Sequence, residues 1–244
     1  MKNTLILFIY TFFFVFHIYP QGIEFSTYEA ETVNKSSYDV FATESPVFNK
    51  YFALKFDLAI HDHSSFGYIF RIKDRNSTNP DIYSLVFSYD TYISSHIKLN
   101  IEARTGLMTD TLDNAKLRAR HWMPVEIRFY LEDDSITLAI RDKQFVSRGL
   151  GLPSSMKPEI LFGSSTFSQE MPPFAIRNLS VDNKDKTYQF PLNESTGSDV
   201  HDNKGKVIGK AINPIWIINK SYHWNQAWTY RSNQVTGSSF DPVN

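Results

Sequence analysis

Residues 122–131 read Trp122-Met123-Pro124-Val125-Glu126-Ile127-Arg128-Phe129-Tyr130-Leu131, and this stretch decides the fold of the 244-residue chain. Apolar side chains occupy every second position from Val125 to Leu131, so an extended chain places them on one face. Residues 132–135 are polar and favour a turn, after which the alternation resumes from Ile136 to Ile140. The segment therefore predicts a β-hairpin with one buried face, which a second sheet must cover.

Other short apolar runs predict the remaining strands. The longest alternating run is Phe52–Ile60, and we expect it to share the core of the hairpin. Phe66–Ile72 follows after a short polar segment, so the two runs are predicted to pair as an antiparallel hairpin. Further predicted strands are Ile82–Tyr89, Ile97–Ile101, two short strands within Glu102–Arg120, Ile160–Phe162 and Phe174–Val181. No sustained helical period occurs between Tyr51 and Val181, which predicts an all-β fold of two antiparallel sheets packed as a sandwich.

Composition limits the possible partners. The net charge is -1, the pI is about 6.7 and the chain has no Lys/Arg-rich block, so nucleic acid and anionic membranes are disfavoured as ligands. No cysteine is present, so stability must come from the core rather than from disulfides. The chain has 20 Phe, 13 Tyr and 4 Trp, which suit a pleated core and also offer flat faces for stacking on sugars.

The N-terminus predicts export. Lys2 precedes an apolar run, Leu5–Phe16, that is too short to span a bilayer comfortably but has the length of a signal-peptide core. We expect residues 1–22 to be a signal peptide cleaved near Gln21 or Gly22, with an uncleaved anchor as the alternative. The predicted location is periplasmic, cell-surface or extracellular, with no other membrane association.

Several segments together resemble a known family. Phe66–Ile72, the strand beginning at Trp122, Ile160–Gly163 and Pro172–Leu179 resemble, in order and spacing, the laminin-G-like or concanavalin A-like jelly roll. The resemblance covers residues 23–183. It implies a sandwich that binds glycans or proteins and that hydrolyses sugars only in some members.

The C-terminal part has a different amino-acid composition. It becomes polar from Asp182 and then carries an aromatic cluster that includes Trp216, Trp224 and Trp228. The motifs Leu192-x-Glu194-x-x-Gly197, Asn213-Pro214-x-Trp216 and Tyr222-His223-Trp224 resemble the junction that leads into a kelch-type β-propeller in exported proteins of Bacteroidetes. We therefore expect residues 184–218 to be a linker that packs on the domain and residues 219–244 to be the truncated start of a propeller. The tryptophans are expected to pack this extension rather than to line a groove.

Three residues are candidates for carbohydrate binding. Tyr89, Tyr92 and His96 flank a turn containing Asp90 and Ser94, where exposed rings could stack on a pyranose while nearby polar groups contact its hydroxyls. The structural alternative is that Tyr89 belongs to the core and that the other two are ordinary loop residues. Trp122, at the start of its strand, is expected to be a core residue.

Catalysis and metal binding are less well supported. The Glu-x-Asp-x-x-Glu type pattern of related glucanases does not occur, and Glu29 and Glu31 are interpreted as surface charges, so no catalytic residue is predicted. His61-Asp62-His63 lacks a recognisable third zinc ligand, and we interpret it as a turn. We predict no cofactor, although calcium at the rim through Asp62, Asp74 or Asp90 stays possible.

These observations predict an exported, non-catalytic recognition module that binds a carbohydrate at the cell envelope. One alternative is a structural or protein-interaction module that packs against its own propeller or against an envelope protein. A weaker alternative is an accessory part of a glycan-active enzyme.

Overall fold

The computed structural model describes residues 22–25, 35–61, 65–102, 104, 106–118, 121–164, 170–223 and 226–231. Most of these residues lie in strands, and the described part of the chain contains one short helix. The elements are β1 Gly22–Phe25, β2 Ser37–Asp39, β3 Tyr51–Ile60, β4 Phe66–Asp74, β5 Ile82–Tyr89, β6 Ser94–Ile101, β7 Gly106–Asp113, α1 Asn114–Arg118, β8 Met123–Tyr130, β9 Ser135–Ile140, β10 Lys143–Arg148, β11 Pro158–Gly163, β12 Phe174–Asp182, β13 Thr187–Phe190, β14 Asp199–His201, β15 Val207–Ile212, β16 Ile215–His223 and β17 Gln226–Arg231.

The strands form two sheets, which we call sheet 1 and sheet 2. Sheet 1 has the order β10-β9-β8-β3-β12-β1-β16-β17, with β13 paired to β12. Sheet 2 has the order β14-β15-β2-β11-β4-β5-β6-β7. Neighbouring strands are antiparallel throughout the described part of the chain. The predicted all-β, two-sheet antiparallel jelly-roll sandwich is therefore confirmed.

The hairpin of residues 122–140 is confirmed as β8 and β9. Phe129 pairs with Ile136 across the two strands, and the apolar positions of both strands face the core. The acidic turn has a structural role, because Asp134 Oδ1 accepts the backbone N–H of Leu152 at 2.7 Å. Backbone hydrogen bonds from Leu152 and Gly151 lower the pKa of Asp134 below its usual value.

The strand β3 shares the hairpin core as expected, and it does so as the hydrogen-bonded neighbour of β8 within sheet 1. The predicted hairpin between β3 and β4 is wrong, because β4 pairs with β5 and β11 in sheet 2. Alternation in the sequence fixes which face of a strand is buried, but it does not identify the partner. β3 and β4 therefore belong to different sheets.

Aromatic rings fill the space between the two sheets. The ring of Phe129 stacks on Phe52 of the same sheet at 4.5 Å and meets Tyr83 of sheet 2 edge-on at 5.1 Å. Phe56 contacts Phe162 of the opposite sheet in the same edge-on manner at 5.1 Å. All five side chains are essentially inaccessible to solvent. Burial of this area, with the favourable ring geometry, is what holds the sheets together.

Two other regions differ in detail from the sequence expectations. Residues 102–120 were expected to hold two short strands, but those of them that the structure describes form one strand, β7, followed by helix α1. Residues 184–218 were expected to be a linker packed on the domain. Within them β13 pairs with sheet 1, and β15 joins sheet 2 beside β2. The boundaries of the domains stay a prediction.

The C-terminal tryptophans are described only in part. Trp216 is 1% exposed, and its indole N–H donates to the carbonyl oxygen of Gly197 at 3.0 Å, so it packs the extension as expected. The side chains of Trp224 and Trp228 are outside the part of the structure that is described. The same holds for most of the predicted propeller start and for residues 1–21 of the predicted signal peptide. Within the described residues, no helix is long and apolar enough to cross a membrane.

We predict that Phe129→Ala destabilises the protein by about 4 kcal/mol, because it removes a ring packed against both sheets and leaves a cavity. The free energy of unfolding in urea measures this change. Phe66→Ala is the matched control, since the Phe66 side chain is 56% exposed and its loss should cost less than about 1 kcal/mol. Equal losses in the two variants would contradict the assigned core.

Candidate functional site

The turn between β5 and β6, residues 90–93, holds itself in one conformation. The backbone N–H of Thr91 donates to the carbonyl oxygen of Ser94 at 2.9 Å, and the Thr91 hydroxyl accepts the N–H of Ser94 at 3.1 Å. The Ser94 hydroxyl also donates to the Asp90 carboxylate at 3.2 Å. These local bonds compete well with solvent because hydroxyl and carboxylate groups of turn residues lie close to their own backbone.

A fully buried amide fixes this turn to the rest of the protein. Asn114, the first residue of α1, is 0% exposed. Its Nδ2 donates to the carbonyl oxygens of Thr91 and Tyr92 at 2.8 and 3.2 Å, and its Oδ1 accepts the Ser95 hydroxyl at 2.7 Å. Its backbone N–H donates to the carbonyl oxygen of Ile93 at 2.9 Å. Asn114 therefore holds the backbone carbonyl groups of three successive turn residues. Its side chain binds those of Thr91 and Tyr92, and its backbone N–H binds that of Ile93.

The turn presents large apolar side chains to solvent. Tyr92 is 68% exposed and Ile93 is 75% exposed, while Tyr89 at the end of β5 is 40% exposed. Rings and aliphatic groups that are both exposed and held on a fixed backbone are characteristic of binding surfaces rather than of mobile loop tips. We call residues 88–96 together with Phe66 the rim.

Two of the predicted site residues, Tyr89 and His96, belong to opposite faces of sheet 2. Tyr89 is in the phase of β5 that points toward the core, but it lies at the end of the strand and so stays exposed. The alternative that Tyr89 is a core residue is therefore wrong. His96 has the opposite phase and lies on the outer face of sheet 2, paired across the ladder with Ser88 and Thr111. Tyr92 occupies the turn between them, so the three residues surround one end of the strand pair.

The His96 ring is held by the same turn. Its Nε2 lies 3.2 Å from the Asp90 carboxylate, and its Nδ1 lies 3.2 Å from the Thr111 hydroxyl. The His96 side chain is 25% exposed. The Asp90 carboxylate thus accepts a hydrogen bond from the Ser94 hydroxyl and contacts the His96 ring. This carboxylate, a possible calcium ligand in the sequence, therefore already has two protein partners.

The exposed ring of Phe66 was missed by the sequence analysis as a site residue. It begins β4 opposite Ser88, in the same row across sheet 2 as His96. Its position depends on Gly67, which has a φ of 133° and lies so close to the Glu170 backbone that a Cβ there would be 2.4 Å from the carbonyl oxygen. In the sequence, the feature that could have indicated this exposed ring was the pair Phe66-Gly67 at the start of the strand.

A cleft lies beside α1. It has a volume of about 270 Å³ and its walls come from the end of β7, from α1, from the start of β8 and from Arg141 after β9. Trp122 lines this cleft and is half-buried, with the Arg177 guanidinium 4.3 Å from its ring centre. The expectation that Trp122 is a core residue is therefore wrong. We call this feature the α1 cleft.

Carboxylates on the outer face of sheet 1 are paired with cations. Glu126 contacts Arg128 and Lys55, and Asp57 contacts Arg177. Burial raises the pKa of Glu126, but the hydrogen bonds from Arg128 and Lys55 outweigh burial and lower it overall. A carboxyl group whose pKa is lowered in this way is a poor proton donor for glycosidic cleavage. Glu29 and Glu31 lie outside the described residues.

Metal ligands are not brought together in the described part of the chain, where no group of three or more His, Asp or Glu side chains could hold an ion. His61 Nδ1 lies 3.4 Å from the buried Glu24 carboxylate, while Asp62 and His63 lie outside the described residues. Asp74 Oδ1 accepts the backbone N–H groups of Asn76 and Lys157, each at 3.0 Å. These contacts give Asp74 a structural role in its turn.

Similarity to known proteins was found among solved structures. No protein-family model matches the chain, and no curated protein matches it. A proposed carbohydrate-binding protein from Bacteroides ovatus is similar at a TM-score of 0.52 and 9% identity, over 81% of this chain and 59% of that chain. Mouse laminin alpha1 domains LG4-5 are similar at 0.45 and 13%, over 76% and 47%. A lectin from Bauhinia forficata in complex with GalNAc is similar at 0.44 and 10%, over 68% and 93%. At these identities the likeness concerns the fold alone.

We predict that Asn114→Ala loosens the rim, because it leaves the carbonyl oxygens of Thr91 and Tyr92 and the Ser95 hydroxyl without their shared partner. The free energy of unfolding should fall by about 2 kcal/mol, and amide hydrogens of residues 91–95 should exchange faster with solvent. The exposed Asn76, changed to Ala, is the control. Unchanged exchange at residues 91–95 would contradict the anchoring role.

Proposed function

We propose that this protein is a non-catalytic carbohydrate-recognition module and that the rim is its binding surface. The observation that carries the proposal is the exposed Tyr92 ring on a turn whose backbone is fixed by Asn114. A ring on a fixed backbone loses less conformational entropy on binding than a ring on a mobile loop, so more of the contact energy is available for binding.

The chemistry around Tyr92 suits a sugar. The apolar face of a pyranose packs on a flat ring, and its hydroxyls need hydrogen-bonding groups at the margin. Tyr89 and Phe66 supply further exposed rings, and Ser88 and His96 supply polar groups on the adjoining outer face of sheet 2. Tyr89, Tyr92 and His96 are thus proposed to contact the glycan together, with Phe66 added to the set.

The comparisons support the same class of function. The Bacteroides ovatus protein, which shares the fold, has a proposed carbohydrate-binding role. The pairing of the outer-face carboxylates Glu126 and Asp57 with cations favours recognition over hydrolysis. The exposed Ile93 also suits an apolar protein partner, so a protein-interaction module, packed against its own propeller or an envelope protein, is the second candidate.

The proposal includes the cellular setting. The module acts after export, in the periplasm, at the cell surface or outside the cell, as part of an exported protein of Bacteroidetes type. Residues 1–22 are its signal peptide, and residues 219–244 begin a kelch-type propeller. The support is the basic and apolar N-terminal pattern and the motifs between Leu192 and Trp224.

We predict that the purified protein is retained on a glycan array and that Tyr92→Ala weakens binding of the retained glycan about tenfold, because the stacking face is lost. Titration calorimetry measures the affinity of the two proteins. Tyr92→Phe should bind nearly as well as the native protein, since it keeps the ring. Ile212→Ala, an exposed apolar change on β15 at the other edge of sheet 2, should have no effect.

Two results would count against this proposal. Absence of retention on every glycan, with or without calcium, would contradict carbohydrate recognition and favour the protein-interaction candidate. Full affinity in Tyr92→Ala, together with a native unfolding temperature, would place the binding site elsewhere on the protein.

A further inference from the structure

The α1 cleft has both an apolar wall and a basic one. Its apolar wall consists of Leu112, Leu117 and Met123, with the indole of Trp122 beside them. Lys116, His121 and Arg141 supply basic groups, against the single carboxylate of Asp113. The volume of about 270 Å³ is slightly below that of a drug-sized pocket, so it suits one sugar unit rather than a long ligand.

The Trp122 indole is held rigidly at the edge of this cleft. The Arg177 guanidinium lies 4.3 Å from the centre of the ring, and the half-buried ring also lines the cleft. The ring thus offers a flat surface for the apolar side of a sugar, as the exposed Tyr92 ring does at the rim.

Arg141, which lines the cleft, belongs to a cluster with a surplus of positive charge. Asp110 on β7 is 2% exposed, and its two carboxylate oxygens bind Arg141 Nη2 at 2.6 Å and Lys143 Nζ at 2.5 Å. Burial raises the pKa of Asp110, but the hydrogen bonds from Lys143 and Arg141 outweigh it and hold the pKa below its usual value. One ionised carboxylate is thus shared by two cations, and the buried Nε of Arg141 has no acceptor among the described residues.

Two further basic groups at the mouth are available to a ligand. Lys116 and His121 are exposed, and neither forms an ion pair with the residues that the structure describes. Asp113 is engaged locally, because its Oδ1 accepts the backbone N–H of Ala115 at 2.8 Å. An anionic group entering the cleft therefore meets the Lys116 ammonium group, with Asp113 as the carboxylate among the lining residues.

The cleft and the rim are parts of one end of the sandwich. Asn114 holds the turn that carries Tyr92, and two residues later Lys116 lines the cleft. We infer that the α1 cleft binds an acidic sugar unit, one that bears a carboxylate or sulfate group, within a glycan whose neighbouring units lie on the rim. This inference rests on the proposed carbohydrate recognition and names its substrate class.

The test compares acidic glycans with matched neutral forms. The native protein is applied to an array of uronate-containing, sialylated and sulfated oligosaccharides, each beside its carboxyl-reduced or desulfated counterpart. We expect retention of at least one acidic glycan and at least a tenfold loss on neutralisation of its charge. Raising the salt until the Debye length is about 3 Å should weaken binding of the acidic form.

Variants connect the effect to the cleft. Lys116→Gln should weaken binding of the acidic glycan about fivefold and leave any neutral glycan unaffected. Lys204→Gln removes the same charge in the exposed turn between β14 and β15, at the other edge of sheet 2, and should change nothing.

The outcomes separate the inference from the proposed function. Equal binding of the acidic and neutral forms, with sensitivity to Tyr92→Ala retained, would overturn the acidic-sugar inference and leave the rim proposal intact. Acidic binding that is unaffected by Lys116→Gln would also overturn the cleft assignment. Absence of binding to any glycan would overturn both proposals together.

Discussion

The buried side chain of Asn114 is the interaction on which the functional end of this molecule depends. Its amide group makes the hydrogen bonds that water would otherwise make with two backbone carbonyl groups of the rim turn and with the Ser95 hydroxyl. Asn114 has no access to solvent. A buried carbonyl group without a partner is costly, so the turn has little freedom to leave this arrangement. The exposed positions of Tyr92 and Ile93 follow from that constraint.

The sandwich provides a rigid support for this arrangement. Rings such as Phe129 and Tyr83 join the two sheets in the middle, and the contacts of Asp110 with Arg141 and Lys143 join β7 of sheet 2 to the β9–β10 edge of sheet 1. Helix α1 follows β7 directly; its first residue, Asn114, bonds to the rim turn, and its residues Lys116 and Leu117 line the α1 cleft. Packing of the core therefore determines the positions of both proposed binding surfaces.

The sequence predicted the features that depend on local pattern. The β8–β9 hairpin follows from alternation and a polar turn, and the proximity of Tyr89 and Tyr92 to a turn was also predictable. The pairing of β3 with β8 rather than β4 was not, because alternation gives no information on partners. The two sheets are joined by contacts between residues far apart in the chain, such as Phe56 with Phe162.

The site was less predictable than the fold for the same reason. Asn114 follows a strand and begins a helix, where asparagine is common for local reasons, and its contacts with residues 91–95 depend on tertiary packing. The α1 cleft combines Lys116, Trp122 and Arg141 from three separate elements. Phe66 was identified as part of a strand but not as a ring exposed at its end.

Chemical-shift mapping tests most directly the central claim that glycans bind at the end of the sandwich held by Asn114. The native protein is labelled with nitrogen-15 and titrated with the glycan that gives the strongest array signal. We predict that the largest amide shift changes fall on residues 65–68, 88–96 and 112–123. Changes concentrated on the outer face of sheet 1, around Lys55, Glu126 and Arg177, with none at the rim, would contradict it.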